Sequence, residues 1–144
     1  MTLPDVFVLL LLGTAHAGDP RSDLAAAAAA VRAHPEDVAA QELYLDLLVG
    51  TGRTGVALEA ARARLAAAPR DPDANYLVGR ATMDPAAAQL AFEAALRLDP
   101  DHARASMGLA SVAEARGRLA DAEAGYSRAA GRDPALVEAW VGWV

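Results

Sequence analysis

The chain has 144 residues, enough for one domain with a buried core. Its formal net charge is -6 and its 13 basic residues are all arginine, which argues against the concentrated basic face that nucleic-acid binding needs. It contains neither lysine nor cysteine, so Schiff-base lysines, thiol nucleophiles and disulfides are excluded.

Residues 1–17 support two interpretations. An apolar run at residues 6–12, followed by the small-x-small sequence AHA before Gly18, is typical of a cleaved export signal and predicts a periplasmic or secreted protein. Asp5 stands where such a signal carries positive charge. The alternative is therefore the first helix of an N-terminal repeat in a cytoplasmic protein. The run is shorter than the roughly 20 apolar residues of a membrane span, so we predict no membrane span.

Residues 18–37 are predicted to form one alanine-rich N-terminal helix. Asp19 and Ser22 are both able to cap its start. The alanines that follow have the highest helix propensity, and Pro35 ends the helix because proline disfavours helix at the residue before it.

The rest of the chain repeats with a regular period. Closing prolines stand at positions 35, 69, 100 and 134, so the steps between them are 34, 31 and 34. The face formed by Ala88, Phe92 and Ala95 recurs after the same step of 34 as Ala122, Tyr126 and Ala129. A period in this range is typical of stacked helical units that cannot bury their faces alone. We predict repeats at residues 38–71, 72–102 and 103–136, each with two helices.

The second repeat is three residues shorter than its neighbours. The helical register places the loss between Met83 and Ala88, so we predict a shortened turn in this repeat. Asp84 and Pro85 follow the expected pattern of an N-cap and a first-turn proline, and they predict an abrupt start for the second helix of the pair.

These features resemble the tetratricopeptide repeat. The resemblance is carried by the period of 34, the spaced alanine and aromatic positions, the closing prolines, and the large-small pairs Val78-Gly79 and Leu109-Ala110. It implies an all-α, right-handed superhelical solenoid of antiparallel helix-turn-helix hairpins. It also implies a concave groove that binds other proteins, and it implies no chemistry by itself, since function lies in sites and not in folds.

The resemblance also indicates where a partner would bind, because the first helix of each hairpin lines the groove in this family. The groove positions of this sequence are Glu42, Asp46, Tyr76, Arg80, Arg104, Met107 and Ser111. An acidic end and two arginines suit an extended peptide or a partner helix, although a merely solvated face is the other interpretation. Glu42 and Asp46 replace the cation and amide of the family's carboxylate clamp, so we do not expect a chaperone-tail adaptor.

No catalytic or metal-binding constellation is found in the sequence. The three histidines are not spaced to share a metal on one helix face, and no serine stands in a G-x-S-x-G motif. Residues 50–55 match G-x-G-x-x-G, but a dinucleotide site needs a preceding strand, and here the repeat predicts a turn between helices. We therefore predict a protein that is not an enzyme and has no cofactor.

Residues 137–144 are predicted to begin an incomplete fourth repeat. Trp140 and Trp143 would lie on its inner face without a covering helix. They could fold back on the last hairpin, mediate self-association, or mark a fragment of a longer protein. The leading hypothesis is thus an exported, non-catalytic scaffold for a protein or peptide partner. The alternative is an accessory domain of a larger enzyme or envelope-assembly protein, truncated at its C-terminus.

Overall fold

The computed structural model describes residues 18–136, which contain helices and turns and no strand. The predicted all-α fold is confirmed. The chain forms two compact units, Met1–Leu47 and Leu48–Val144. The helices, in chain order, are α1 (Pro20–Ala33), α2 (Val38–Gly50), α3 (Thr54–Ala67), α4 (Pro72–Ala81), α5 (Pro85–Leu98), α6 (Ala103–Ala115) and α7 (Leu119–Arg132).

The first unit is held together locally by caps at its helix ends. Asp19, and not Ser22, caps α1, since its carboxylate accepts a hydrogen bond from the Arg21 amide at 3.1 Å. Asp37 accepts from the Ala40 amide at 3.2 Å at the start of α2. The buried side chain of Gln41 donates to the carbonyl oxygen of Pro35. The first two bonds satisfy amide groups that a helix start otherwise leaves without partners, and the third pairs a carbonyl of the connection between α1 and α2.

The second unit is a stack of antiparallel helices. Each helix from α3 to α7 packs against the next one along the chain, and α4 also packs against α6. Five alanines of this unit have no exposed surface: Ala57, Ala74, Ala95, Ala105 and Ala129. Small side chains let helix axes approach closely. The alanine-rich composition therefore produces a thin, tightly packed core.

Glycines at positive φ follow the first helix in two of the hairpins, α2 and α6. Gly52 has φ 77° and Gly117 has φ 73°. The amide after each glycine bonds back to the carbonyl five residues earlier, from Arg53 to Leu48 and from Arg118 to Ala113, both at 2.8 Å. This is the Schellman arrangement, in which a left-handed residue closes the helix end. The G-x-G-x-x-G sequence at residues 50–55 is therefore part of a helix–turn–helix connection.

The second repeat is three residues shorter than its neighbours because its first helix, α4, is shorter. α4 has 10 residues, whereas α2 and α6 have 13 each. The turn is not shortened, because the residues between the helices number three in all three hairpins: 51–53, 82–84 and 116–118. The structure therefore corrects the predicted shortened turn. Asp84 caps α5 as predicted, accepting from the amides of Ala86 and Ala87.

Candidate functional site

The first helices of successive hairpins lie side by side in the second unit. α4 packs against α6, whereas the second helices of the same two hairpins, α5 and α7, have no comparable contact. The first helices of these two hairpins are therefore in closer contact than their second helices. The face of α4 and α6 is the candidate site, and we call it the α4/α6 face.

Five of the predicted groove residues lie on these two helices, and all of them except Tyr76 reach the surface. Arg104, Met107 and Ser111 follow one another at three- and four-residue steps, so they share one side of α6. Arg104 and Met107 are half-buried, and Ser111 is exposed. Arg80 is exposed near the end of α4. The α4/α6 face thus combines two guanidinium groups with a thioether and a hydroxyl.

Tyr76, predicted as an apolar groove contact, lies in the core instead. Its side chain is 2% exposed. Its ring centroid is 5.9 Å from that of Phe92 and 5.5 Å from that of the His102 imidazole, distances at which tilted rings attract each other. The helical register correctly places Tyr76 one turn before Arg80. The register does not show that the segment leading into α6 covers the ring, and this cover removes Tyr76 from the set of partner contacts.

The two acidic groove residues belong to the first unit. Glu42 is half-buried and Asp46 is exposed, and they lie one turn apart on the same side of α2. Their negative charges therefore form one local patch on that helix. The four residues of the α4/α6 face form a separate, basic set within the second unit.

His102 connects the starts of the two helices that carry the α4/α6 face. Its Nδ1 accepts a hydrogen bond from the Ala105 amide at 3.0 Å, which caps α6. Because Nδ1 accepts, the ring proton of the neutral imidazole lies on Nε2, and Nε2 lies 2.8 Å from Oδ1 of Asp73 in the first turn of α4. The sequence does not reveal Asp73 as the partner of His102.

Polar side-chain contacts also join neighbouring hairpins of the second unit. Arg132 donates from Nε to Asp101 at 2.6 Å, and Arg116 donates to the side-chain oxygen of Gln89 at 2.6 Å. In addition, Arg64 donates to Asp71 at 2.8 Å. The last pair has a low exposed fraction, 18% for Arg64 and 26% for Asp71. These contacts connect neighbouring hairpins of the second unit.

A hydrogen-bonded tyrosine borders the end of the same face. The Tyr126 hydroxyl on α7 donates to Oε2 of Glu114 on α6 at 2.7 Å. Burial, then the hydrogen bond to Glu114 and its negative charge, raise the pKa of Tyr126 from 10.0 to about 12, and a hydrogen bond with Ser111 opposes this shift. Ser111 therefore contributes to packing of the last hairpin as well as to the exposed face.

Nothing in the described part of the chain points to a metal site or a membrane span. Within residues 18–136, histidine and carboxylate side chains form no group of three that could hold a metal ion. No helix in the same range combines the length and the apolarity of a membrane crossing.

Comparison with known proteins agrees with this architecture. Residues 81–136 match the family model of the tetratricopeptide repeat. A search of curated proteins gave no significant match. A thermophilic TPR protein of Thermus thermophilus superposes with a TM-score of 0.64 at 20% identity, covering 89% of this chain and 71% of that one.

Two MamA structures are similar to a comparable degree. One has a TM-score of 0.56 at 21% identity, with 85% of this chain and 74% of that chain covered. The other, MamA from residue 41 to its end from Desulfovibrio magneticus RS-1, has a TM-score of 0.57 at 21% identity, with 81% and 68% covered. At these identities the similarity shows a shared fold.

Proposed function

We propose that this chain is a tetratricopeptide repeat protein and a non-catalytic scaffold that binds a segment of another protein on its α4/α6 face. The match of residues 81–136 to the family model of that repeat supports the proposal. The observation that carries this proposal is the direct packing of α4 against α6. That packing presents Arg80, Arg104, Met107 and Ser111 on adjacent helices. A stack of helices linked by buried alanines provides a rigid surface on which outer side chains can contact a partner.

The side chains of this face favour a partner segment with carboxylates and an apolar contact. Guanidinium groups bind carboxylates with two parallel hydrogen bonds, and arginine is enriched among residues that dominate binding energy. Met107 is half-buried, and a flexible thioether adapts to different apolar partners. The partner is therefore an extended peptide or a helix with acidic side chains near an apolar one.

We also propose that the protein is exported. The support is the apolar run at residues 6–12 and the small-x-small sequence before Gly18, which lie outside the described residues apart from Gly18 itself. Export would place the partner in the periplasm or outside the cell. Intact mass of the protein from a bacterial host, measured for each compartment, tests this. Loss of residues 1–17 in the periplasmic fraction supports export, whereas retention in the cytosol contradicts it.

The binding proposal is tested by charge reversal with a charge-matched control. Arg80→Glu with Arg104→Glu changes the α4/α6 face, and Arg62→Glu with Arg97→Glu makes the same change in net charge on exposed positions of α3 and α5. A photo-crosslinking amino acid at Met107 reports contacts at this face in cells that produce the protein naturally. The expected result is a discrete crosslinked partner with the parent protein and with the control pair.

The variant that combines Arg80→Glu with Arg104→Glu, which we call the face variant, should be the only one of the three proteins to lose the crosslinked partner. The face variant must also retain the helical circular dichroism spectrum of the parent, so that loss of binding is separated from loss of folding. Equal crosslinking by both double variants would contradict the assignment of the α4/α6 face. A photo-crosslinker at Ser127, which is exposed on α7, gives the background for contacts elsewhere on the surface.

A further inference from the structure

His102 contacts the starts of two helices through one buried ring. Its side chain is 7% exposed. Nδ1 accepts a hydrogen bond from the Ala105 amide in the first turn of α6 at 3.0 Å, and Nε2 lies 2.8 Å from Oδ1 of Asp73 in the first turn of α4. The ring also lies against the ring of Tyr76, with centroids 5.5 Å apart. Both ring nitrogens are therefore engaged, each by a different helix.

A histidine cap distinguishes α6 from three of the helices before it. The caps of α1, α4 and α5 are the carboxylates of Asp19, Asp71 and Asp84, and each accepts from an amide of the first turn. A carboxylate accepts hydrogen bonds throughout the range near neutral pH. Histidine, in contrast, is the side chain that changes charge between about pH 5 and 8. Of these four helices, α6 is therefore the one whose cap a proton can remove.

A proton on the ring changes the two polar contacts in opposite directions. The proton goes to Nδ1, and both nitrogens of the resulting imidazolium are donors. Nδ1 then faces the Ala105 amide as a second donor, so the cap is lost. The contact of Nε2 with Asp73 becomes a charge-assisted hydrogen bond, which is roughly twice as strong as a neutral one.

The charges around the ring also act in both directions. The titratable and charged groups on the surrounding elements are Asp73 and Tyr76 of α4, Asp99 at the end of α5, Asp101 before α6, Arg104 of α6, and Arg132 of α7, which is bonded to Asp101. The positive end of the α6 dipole and Arg104 disfavour a cation at this position. Asp73 favours it and is in hydrogen-bond contact with the ring. The stronger contact with Asp73 offsets the lost cap, so the ring can take up a proton without leaving its site.

We propose that His102 is an acid-sensitive cap. When the ring takes up a proton, the hydrogen bond from the Ala105 amide is lost and the contact with Asp73 is kept. The first turn of α6 is then released while its start stays attached to α4. Arg104 of the α4/α6 face lies in this turn. The switch is part of the fold of the second unit, so it does not depend on whether that face binds a partner.

Amide hydrogen exchange of the full-length protein, followed by NMR, tests this switch. The protection factor, which corrects for the intrinsic effect of pH on exchange, should fall for the Ala105 amide between about pH 8 and 5. The expected fall is roughly 2- to 30-fold, the range for loss of a cap. The Ala87 amide, which donates to Asp84 at 3.2 Å at the matching position of α5, is the internal control and should keep its protection. In His102→Asn the side-chain oxygen accepts at every pH, so Ala105 protection should not change with pH.

Nitrogen chemical shifts of the His102 ring keep the test decisive if His102→Asn fails to fold. They should show Nδ1 without a proton at the upper end of the pH range and with one at the lower end, where Ala105 protection is lost. Asp73→Asn removes the carboxylate that favours the charged ring, so the same change should need a lower pH. A proton on Nδ1 throughout the range, or Ala105 protection that stays constant, would overturn the proposal. So would an equal fall in the parent and in His102→Asn, since acid would then act elsewhere.

Discussion

The ring of Phe92 occupies the space that a side chain at Gly79 would need. An ideal Cβ at Gly79 would lie 2.6 Å from Cε1 and 2.7 Å from Cδ1 of the ring. The ring cannot move away from α4 without meeting α6, because Gly108 faces it at the same distance. This contact therefore locks α4, α5 and α6 together in the second unit.

Gly79→Ala is accordingly expected to destabilise the protein although alanine favours helix. Overpacking a core of this kind costs about 1–3 kcal/mol, which exceeds or offsets the gain of up to about 1 kcal/mol from replacing glycine in a helix. Urea unfolding followed by circular dichroism measures the difference. Gly55→Ala is the matched control, because a Cβ there meets nothing within 4 Å. Equal effects of the two changes would contradict the close ring contact.

The three glycines of the G-x-G-x-x-G sequence are expected to differ in their tolerance of substitution. Gly52 has φ 77°, and a left-handed backbone costs a non-glycine residue roughly 1–2 kcal/mol. Gly52→Ala should therefore lower the free energy of unfolding by about that amount. Gly50→Ala, at the last residue of α2 with open space at its Cβ, should be neutral or stabilising. Thermal and urea unfolding of the two variants test this.

A phosphate-binding loop would give another pattern. In such a loop the glycines allow close approach of a pyrophosphate to the backbone, so Gly50→Ala and Gly55→Ala would impair binding of a dinucleotide. We expect no stabilisation of the parent protein by NAD⁺ or NADP⁺ in a thermal unfolding assay. A dinucleotide-dependent rise in melting temperature would contradict the assignment of residues 50–55 as a helix connection.

The sequence predicts features that depend on local chemistry. Asp84 and Pro85 identify the start of α5, and the spacing of closing prolines identifies the hairpins, because caps and prolines act within one helical turn. The sequence does not show whether the three residues are missing from a helix or from a turn of the second repeat. An alignment of repeats cannot distinguish a shorter helix from a shorter turn, and here the three-residue connection was kept and α4 was shortened.

Contacts between residues far apart in the sequence could not be derived in the same way. Tyr76 has the spacing of a groove residue, but it is buried, and its ring lies against the His102 imidazole just before α6. The pair of His102 and Asp73 joins residues 29 positions apart, and no local pattern fixes such a distance. The repeat register predicts which helices carry the face. The exposure of each side chain on that face is known only from the structure, because it depends on how the helices pack.

His102 is expected to stabilise the protein through two separable contacts. His102→Ala removes the cap of α6 and the partner of Asp73, and loss of a cap alone costs about 0.5–2 kcal/mol. His102→Asn keeps a capping side chain but is too short to reach Asp73, so it should be less destabilising. Urea unfolding at pH 7 gives the order. His34→Ala, at an exposed histidine after α1, should change stability by less than about 0.5 kcal/mol.

A double-mutant cycle with Asp73→Ala isolates the contact between His102 and Asp73. Contacting residues show coupling energies of about 0.5–3 kcal/mol. The cycle of His102→Ala and Asp73→Ala should therefore be non-additive, and so should the cycle of His102→Asn and Asp73→Ala, because asparagine also removes the contact with Asp73. Additive effects in both cycles would mean that the contact between His102 and Asp73 contributes nothing to stability.

Tyr126 is expected to lose its proton only near pH 12, because burial and Glu114 raise the pKa of its hydroxyl to about 12. Alkaline titration of the phenolate absorbance measures this, and the parent minus Tyr126→Phe difference isolates the residue. Glu114→Gln removes the negative charge and weakens the hydrogen bond, so it should move the pKa of Tyr126 towards 10. Ser111→Ala should raise it further, because the Ser111 hydrogen bond lowers that pKa.

The raised pKa also fixes the sign of the change in stability with pH. Between about pH 10 and 12 the folded protein keeps a proton on Tyr126 that the unfolded chain has released, so the stabilising contribution is complete below pH 10 and is lost as the pH rises to 12. The free energy of unfolding of the parent should therefore fall more steeply over this range than that of Tyr126→Phe. Parallel pH profiles for the two proteins would show that the Tyr126 pKa is the same in the folded and unfolded states.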